Sequence, residues 1–286
     1  MLAQVISRER KKAKELTATQ AQLTRYAKDL KLVVQRERKK AKELQAAHDQ
    51  MLKYVADLKD TLSVSRRKSR ELDEACRAMI IALSRAIEAR DRYTAFHTDR
   101  VTAYGLQLGK YLHWSNSRLA ILKLGGYIHD LGKLAILDSI LNKPGRLTDE
   151  EFREMRTHPS RGAEIVENIR FLQPMVPYIL YHHERYDGAG YPTGLGGDAI
   201  PEEGRLLAVA DTFDAMTSTR PYRKALPVER AIDELRGGAG TQFDPKFVGA
   251  FIEVWETGVL APILALGREG QGSGLHSIRS GQPDAG

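Results

Sequence analysis

The sequence has few of the features that mark secreted or membrane proteins. A single cysteine, Cys76, excludes an internal disulfide framework and fits a reducing compartment. No apolar run approaches the roughly 20 residues that a membrane span needs, and the first residues lack the apolar middle of a secretory signal. We therefore expect a cytoplasmic protein that makes no use of the membrane.

Glycine and proline are also missing from the first part of the chain, since neither occurs before Gly105. Nothing there interrupts a helix, and strand signals are scarce throughout. We expect an all-α protein with three parts. They are a long N-terminal helix or coiled coil at residues 1–75, a helical domain at residues 76–266, and a disordered Gly/Ser-rich tail at residues 267–286.

The formal net charge of +7 comes from one segment. Residues 1–75 hold 19 Lys and Arg against 11 Asp and Glu, a net charge of +8, so the other 211 residues carry −1. A charge run of this kind is more often a solvated helix face than a nucleic-acid interface. We expect no nucleic-acid partner.

The N-terminal segment contains an internal repeat. The letters RERKKAKEL occur at residues 8–16 and again at residues 36–44, an offset of 28 residues or four heptads. Apolar residues fall at heptad position d at Leu16, Leu23, Leu30, Leu44, Met51, Leu58 and Leu72. This predicts a left-handed coiled coil that joins two copies of the chain. Glu9, Glu37 and Ser65 also fall at d, so a solvated single helix or spacer remains the alternative.

Beyond Cys76 the helical pattern resembles that of a buried core, with apolar residues at spacings of three and four. They are Met79, Ile80, Leu83, Ala86 and Ile87. Farther along, Thr148 has the position of an N-cap. We expect it to open one helix that carries His158.

Five histidines and two aspartates lie in or beside apolar helical segments. They are His97, His129, His158, His182, His183, Asp130 and Asp211. A lone histidine on an apolar face is more often an ordinary core residue, but a buried aspartate needs a compensating cation. Imidazole and carboxylate ligands suit iron, manganese or zinc better than calcium or magnesium. Seven ligands are too many for one tetrahedral ion, and they predict two ions that share a carboxylate.

Several ordered motifs carry a resemblance to a known family. HDLGK begins at His129, HHERYDGAGYPTGL begins at His182, and VADTFDAMTSTRPYRKAL contains Asp211. Together with EARDRYTAFH, ILNKPGRLTDEEF and HPSRGAEI, they are similar to the HD-GYP phosphodiesterases, a branch of the HD metal-dependent phosphohydrolases. The resemblance covers about residues 86–255. It implies a helical HD-type domain that hydrolyses cyclic di-GMP to linear pGpG, to GMP, or to both.

The resemblance also implies a role for each site residue. One metal ion is held by His97, His129, Asp130 and Asp211, and a second by Asp130, His158, His182 and His183. Asp130 bridges the two ions, and a hydroxide between them attacks phosphorus. Lys133 faces the scissile phosphate, and Arg220 and Arg223 grip phosphate or guanine. Some family members hold a third metal through a carboxylate where this chain has Tyr93. The expectation is therefore two divalent ions, iron or manganese.

Two other functions remain open at this point. The same metal site can serve a different cyclic nucleotide or dinucleotide, since the arginines read phosphate more than base. Alternatively, the chain is a catalytically silent scaffold that binds cyclic di-GMP or recruits partners. The loop of Gly190, Tyr191 and Pro192 is either a structural turn or a surface for a partner protein.

Overall fold

The structure is a computed structural model that describes residues 1–91, 96–219 and 224–266. Helices dominate these ranges, which contain no β-strand, so the prediction of an all-α fold is confirmed. The α-helices are α1 (Leu2–Arg90), α2 (His97–Tyr111), α3 (Asn116–Ile128), α4 (Asp138–Leu141), α5 (Asp149–Met155), α6 (His158–Val166), α7 (Val176–Tyr181), α8 (Glu202–Thr217), α9 (Val228–Gly237), α10 (Pro245–Glu256) and α11 (Ala261–Ala265). Short 3₁₀ helices span Leu131–Ala135, Arg170–Met175 and Gly197–Ala199. None of the described helices combines the length and apolar content that crossing a bilayer requires.

The chain divides into two compact units, Met1–Asp73 and Glu74–Gly286. The first unit is helical, and every one of its residues is exposed. That includes the predicted d positions, where Leu16 is 69% and Leu30 is 65% exposed. The coiled coil stays a prediction. The predicted disordered tail lies outside the described residues.

The core of the second unit places α2 beside α8. Val101, Tyr104 and Leu108 recur at helical spacing on α2, and all three are fully buried. The ring of Tyr104 meets Phe213 of α8 edge-on, with ring centroids 5.3 Å apart, a favourable geometry for aromatic pairs. Because α2 begins at His97 and α8 contains Asp211, this packing holds two predicted ligands on neighbouring helices.

The end of α1, from Glu74 on, belongs to the second unit, and its buried stripe there is narrower than the sequence predicts. Ile80, Ser84 and Ile87 are buried, whereas Met79 is 62% and Leu83 is 39% exposed. The buried residues follow spacings of four and three along one face of the helix, and Met79 and Leu83 lie beside that face. Ala86 is exposed as well, so the prediction that all five apolar residues form core was wrong for Met79, Leu83 and Ala86.

Two glycines allow the close contacts that bring together the segments carrying the predicted ligands. A Cβ on Gly126 would lie 2.5 Å from the hydroxyl oxygen of Thr102, so glycine lets α3 pack directly on α2. A Cβ on Gly132 would overlap the main-chain oxygen of His158. Glycine at position 132 therefore lets the turn after Asp130 touch the start of α6.

The N-cap predicted at Thr148 is confirmed, but the helix it opens is shorter than expected. The Thr148 hydroxyl accepts from the Glu151 N–H at 3.3 Å, and the Glu151 carboxylate accepts from the Thr148 N–H at 2.7 Å. This helix, α5, ends at Met155, and a new helix begins at His158. The single predicted helix was wrong because Pro159 lacks an N–H and is tolerated only in a first helical turn.

Candidate metal centre

The structure brings all seven predicted ligands together. Each lies at a helix end or in a core helix, where packing fixes its backbone. His97 and His158 open α2 and α6, His129 and Asp130 follow α3, His182 and His183 follow α7, and Asp211 lies within α8. The side chains of His97, His129, Asp130, His158 and His182 are buried. The segments that the sequence separates by more than 100 residues therefore meet at one point.

Asp130 lies at the centre, and its two carboxylate oxygens face different groups of histidines. Oδ2 lies 3.8 Å from Nε2 of His97 and 3.5 Å from Nε2 of His129. Oδ1 lies 3.3 Å from Nε2 of His158 and 3.9 Å from Nε2 of His182. One carboxylate thus has an oxygen available on each side.

The ligand atoms form overlapping groups of the size that holds a metal ion. His97, His129 and Asp211 form one group, and their ligand atoms lie within 4.8 Å of one another. His158, His182 and His183 form another with the same spacing. A third group within this spacing joins Asp130 to one histidine of each. The donor set is imidazole and carboxylate, which suits a transition-metal ion.

The hydrogen bonds of the imidazole rings leave their outer nitrogens directed into the site. Nδ1 of His129, His158 and His182 lies 2.8–2.9 Å from main-chain carbonyls, which can only accept, so Nδ1 carries the hydrogen. Nε2 of His129 is buried and has no hydrogen-bond partner. Buried nitrogen lone pairs without a donor are the arrangement expected of metal ligands, so the residues fit a metal ion.

The charge states follow from burial and from the acidic neighbours. Burial lowers the pKa of His129, and burial together with neighbouring histidines lowers that of His182 well below its ordinary value. Burial lowers the pKa of His183 to about 3. Burial alone would raise the pKa of Asp130, but Lys133 and the histidines hold it well below its usual range. Neutral imidazoles and an ionised carboxylate are the forms that bind metal.

His97 has a buried carboxylate partner that the sequence did not point to. Its Nδ1 lies 2.8 Å from Oδ2 of Asp214, and Asp214 accepts from Nε of Arg100 at 2.5 Å. Burial would lower the pKa of His97, but the hydrogen bond and charge of Asp214 raise it. Asp214 lies one helical turn after Asp211, and this i, i+3 spacing of carboxylates on an apolar helix was the available signal.

Lys133 lies in the 3₁₀ helix that follows Asp130. Its ammonium Nζ lies 2.7 Å from Oδ2 of Asp130 and 3.2 Å from Oδ2 of Asp91. The lysine is therefore at the site, between two carboxylates.

A cavity of about 590 Å³ opens over the site. Its wall includes the predicted ligands His97, Asp130, His158, His183 and Asp211, and Lys133 beside them. Lys143 and Arg146, from the loop before α5, add two cationic side chains that we did not predict. Their signal was the motif ILNKPGRLTDEEF, whose basic residues we gave no role. Arg220, Arg223 and Tyr93 lie outside the described residues.

The Gly-rich loop after His183 packs against the site. The Tyr191 ring stacks on His183, with centroids 4.9 Å apart and planes at 29°. Buried Glu184 holds the loop, since its Oε1 accepts from the Thr193 N–H at 2.6 Å and from the Thr193 hydroxyl at 2.7 Å. Arg156 covers Tyr191, with its guanidinium carbon 4.6 Å from the ring centre.

Comparison with known families agrees with this geometry. Residues 78–247 match the family model described as "HD domain". The chain belongs to the HD domain family. Its seven predicted ligands all lie within the matched residues, and the HD domain occupies more than half of the chain.

Curated relatives of this HD domain protein include two kinds of phosphodiesterase. It is 42% identical over 178 residues to the cyclic di-GMP phosphodiesterase response regulator RpfG of Xanthomonas campestris, which covers 62% of this chain and 47% of the relative. It is 38% identical over 185 residues to the 3′3′-cGAMP-specific phosphodiesterase 2 of Vibrio cholerae, covering 64% of this chain and 35% of the relative. The chain spans less than half the length of these relatives. The resemblance seen in the motifs is thereby confirmed.

A solved structure confirms the fold. The cyclic GMP-AMP-specific phosphodiesterase V-cGAP3 of V. cholerae matches with a TM-score of 0.54 and 20% identity, over 68% of this chain and 53% of that one. At this identity the likeness concerns the helical HD fold alone.

Proposed function

We propose that this HD domain protein is a metal-dependent phosphodiesterase that hydrolyses cyclic di-GMP to linear pGpG, to GMP, or to both. The proposal includes two divalent ions, iron or manganese. One would be held by His97, His129, Asp130 and Asp211, and the other by Asp130, His158, His182 and His183.

The observation that carries the proposal is the position of Asp130 between the two histidine groups. Oδ2 faces His97 and His129, while Oδ1 faces His158 and His182. A carboxylate with one oxygen toward each group is the bridging ligand that a two-metal site requires. Two ions bound there would supply Lewis acidity that activates a water and offsets charge on the phosphoryl oxygens.

The chain's own residues then orient and stabilise the reacting phosphate. We assign to Lys133 a hydrogen bond to a non-bridging phosphoryl oxygen, where negative charge develops in the transition state. In the reaction the water oxygen bonds to phosphorus, the bond from phosphorus to the 3′ oxygen breaks, and that oxygen takes up a proton. Asp91 and Asp130 flank the ammonium of Lys133 and support this placement.

The cavity supports a substrate with more than one phosphate. A volume of about 590 Å³ lies within the roughly 300–1,000 Å³ typical of small-ligand pockets. Of the two cationic side chains in the wall, Lys143 is already paired with Glu151, at 2.5 Å. Arg146, exposed in the same wall, has a planar fork that suits the second phosphate of a cyclic dinucleotide.

The Gly-rich loop is assigned to this site rather than to a partner protein. Tyr191 stacks on the predicted ligand His183 and lines the cavity. We therefore assign Tyr191 a role in shaping the site, where burial raises the pKa of its hydroxyl.

Turnover of cyclic di-GMP, with products separated by chromatography, tests the proposal. Anaerobically purified protein with iron or manganese is expected to yield linear pGpG or GMP, and Asp130→Ala is expected to yield neither. His48→Ala, an exposed histidine of the first unit, is the matched control. A wild-type protein that binds cyclic di-GMP without turnover would favour the scaffold function instead.

A second candidate substrate is 3′3′-cyclic GMP-AMP, which the name of one relative specifies at 38% identity. The two dinucleotides share both phosphates, so the cationic cavity wall serves either. A ratio of kcat/KM values above about tenfold between them, equal to about 1.4 kcal/mol of transition-state binding, would decide the assignment.

We also infer that the first unit pairs with a second copy of the chain. The exposed row that includes Leu16, Leu30 and Leu58 repeats every seven residues, and each is at least 60% exposed. An exposed apolar row of this period buries itself when two helices associate.

A further inference from the structure

The last turn of α1 is hydrogen-bonded directly to the turn that carries Lys133. The guanidinium of Arg90 donates from Nη1 to the main-chain oxygens of Lys133 at 3.0 Å and Leu134 at 3.1 Å. It also donates from Nη2 to the oxygen of Ile136 at 2.6 Å, and from Nε to Asp138 at 2.7 Å. One side chain thus donates hydrogen bonds to three main-chain carbonyl groups at the end of the Leu131–Ala135 3₁₀ helix.

The same end of α1 also holds the lysine side chain. Oδ2 of Asp91 lies 3.2 Å from Nζ of Lys133. The main-chain oxygen of Arg90 accepts from Nδ2 of Asn142 at 3.1 Å, which fixes the segment from which Arg90 and Asp91 project. Lysine has a long flexible stem, so both its backbone and its ammonium need support to hold one position.

A second contact from α1 reaches the start of α2, next to the predicted ligand His97. Oε1 of Glu88 accepts from the main-chain N–H of Thr98 at 2.7 Å and from its hydroxyl at 2.8 Å. The first turn of a helix has unpaired N–H groups, and the residue before α2, Phe96, supplies no side-chain cap. Glu88 therefore caps α2 from another helix, one residue beyond the predicted ligand His97.

We propose that Arg90 and Glu88 are positioning residues with separate tasks. Arg90 fixes the turn that presents Lys133 to the substrate, and Glu88 fixes the helix start that presents His97 to the metal. As regards turnover, the inference rests on the proposed function. The proposal predicts that substitution of Arg90 slows the reaction without loss of metal, whereas substitution of Glu88 weakens metal binding.

Substitutions at each residue, made in the full chain, separate the two tasks. Arg90→Gln is expected to lower kcat roughly 10–100-fold, the usual cost of removing an outer supporting group, with metal content at the wild-type level. Arg90→Lys keeps the charge but not the fork, and is expected to restore only part of kcat. Glu88→Ala is expected to weaken Mn²⁺ binding roughly 10–100-fold, while Glu88→Gln, which keeps an accepting oxygen, stays close to wild type.

The control is Arg85→Gln, an exposed charge on the same helix, which is expected to change neither quantity. Hydrogen exchange gives a readout that does not depend on turnover. The peptide that covers residues 131–136 is expected to exchange faster in Arg90→Gln, with the start of α2 unchanged. Glu88→Ala is expected to show the reverse pattern.

Equal kcat in Arg90→Gln and wild type, or parallel loss of metal and thermal stability in all variants, would overturn the proposal. Wild-type protein that hydrolyses no cyclic dinucleotide would refute the proposed function. In that case, Mn²⁺ affinity and the two exchange patterns still decide the positioning roles.

Discussion

The Nε2 atoms of His158 and His182 lie 3.3 Å apart in the second unit. The Nδ1 of each ring is already used on a main-chain carbonyl, of Met155 and Ile179 respectively. The two Nε2 atoms therefore point toward each other, and burial and neighbouring histidines keep the pKa of His182 well below its ordinary value. A cation between the two rings is the simplest arrangement that stabilises this pair.

Replacement of Asp214 by Asn is expected to weaken the metal centre without removing a ligand. Asp214 orients His97 and neutralises buried Arg100, and loss of such a partner costs roughly 10–100-fold in metal affinity. Titration calorimetry with Mn²⁺ measures the effect, with exposed Asp233→Asn as control. An affinity within twofold of wild type would show that His97 needs no such support.

Gly132→Ala is expected to destabilise the second unit and to reduce metal binding together. The new Cβ would overlap the His158 main-chain oxygen, and forced overpacking typically costs about 1–3 kcal/mol of unfolding free energy. The Cβ of Gly249→Ala, in α10, would meet no atom within 4 Å. This substitution is expected to raise the free energy of unfolding by about 0.4–1 kcal/mol. Denaturant unfolding compares them. Equal free energies of unfolding in both variants would contradict the close contact.

Arg146→Ala is expected to act on substrate binding rather than on chemistry. If Arg146 meets the phosphate remote from the metal centre, its loss removes a charge-assisted contact of about 1.5–3 kcal/mol, so KM rises about tenfold or more. The kcat value should stay near wild type, and Arg236→Ala, at an exposed position of α9, serves as control. A fall in kcat at constant KM would instead place Arg146 at the reacting phosphate.

Pairing through the first unit predicts that Leu30→Asp dissociates the dimer while Leu32→Asp does not. Leu30 falls at heptad position d and Leu32 at f, yet both are exposed leucines of the same helix, at 65% and 58%. Losing a buried leucine costs about 1.5–3 kcal/mol, or more than tenfold in Kd. Sedimentation velocity measures the mass of each variant in solution and so distinguishes monomer from dimer. A monomeric wild type at tens of micromolar, or equal effects of the two changes, would exclude this pairing.

The sequence pointed to seven candidate ligands that lie close together in the structure, but it did not point to the groups that support them. His129, Asp130 and the His182–His183 pair stand out because titratable residues in apolar helical segments are rare and need an explanation. The support of His97 by Asp214 joins residues 117 positions apart. Arg90 reaches a turn more than 40 positions away. Such pairings depend on how helices pack, and a helical repeat in the sequence specifies only which face is buried.

The predicted helix boundaries and buried faces were partly wrong for a related reason. The proline at position 159 was visible in the sequence, but its role as the first turn of a new helix depends on the turn at Arg156 and Thr157. Met79 and Leu83 match an apolar period, yet the stripe that touches the core is centred on Ser84. Periodicity predicted the helices, and tertiary contacts decided where they end and which residues they bury.

The metal content of anaerobically purified protein is a direct test of the proposed two-ion site. We expect two equivalents of iron or manganese per chain in the wild type, and about one in a His158→Ala, His182→Ala double variant that retains His97, His129 and Asp211. His48→Ala should retain two. Two equivalents in the double variant, or less than one in the wild type under all metal supplies, would contradict a two-ion site bridged by Asp130.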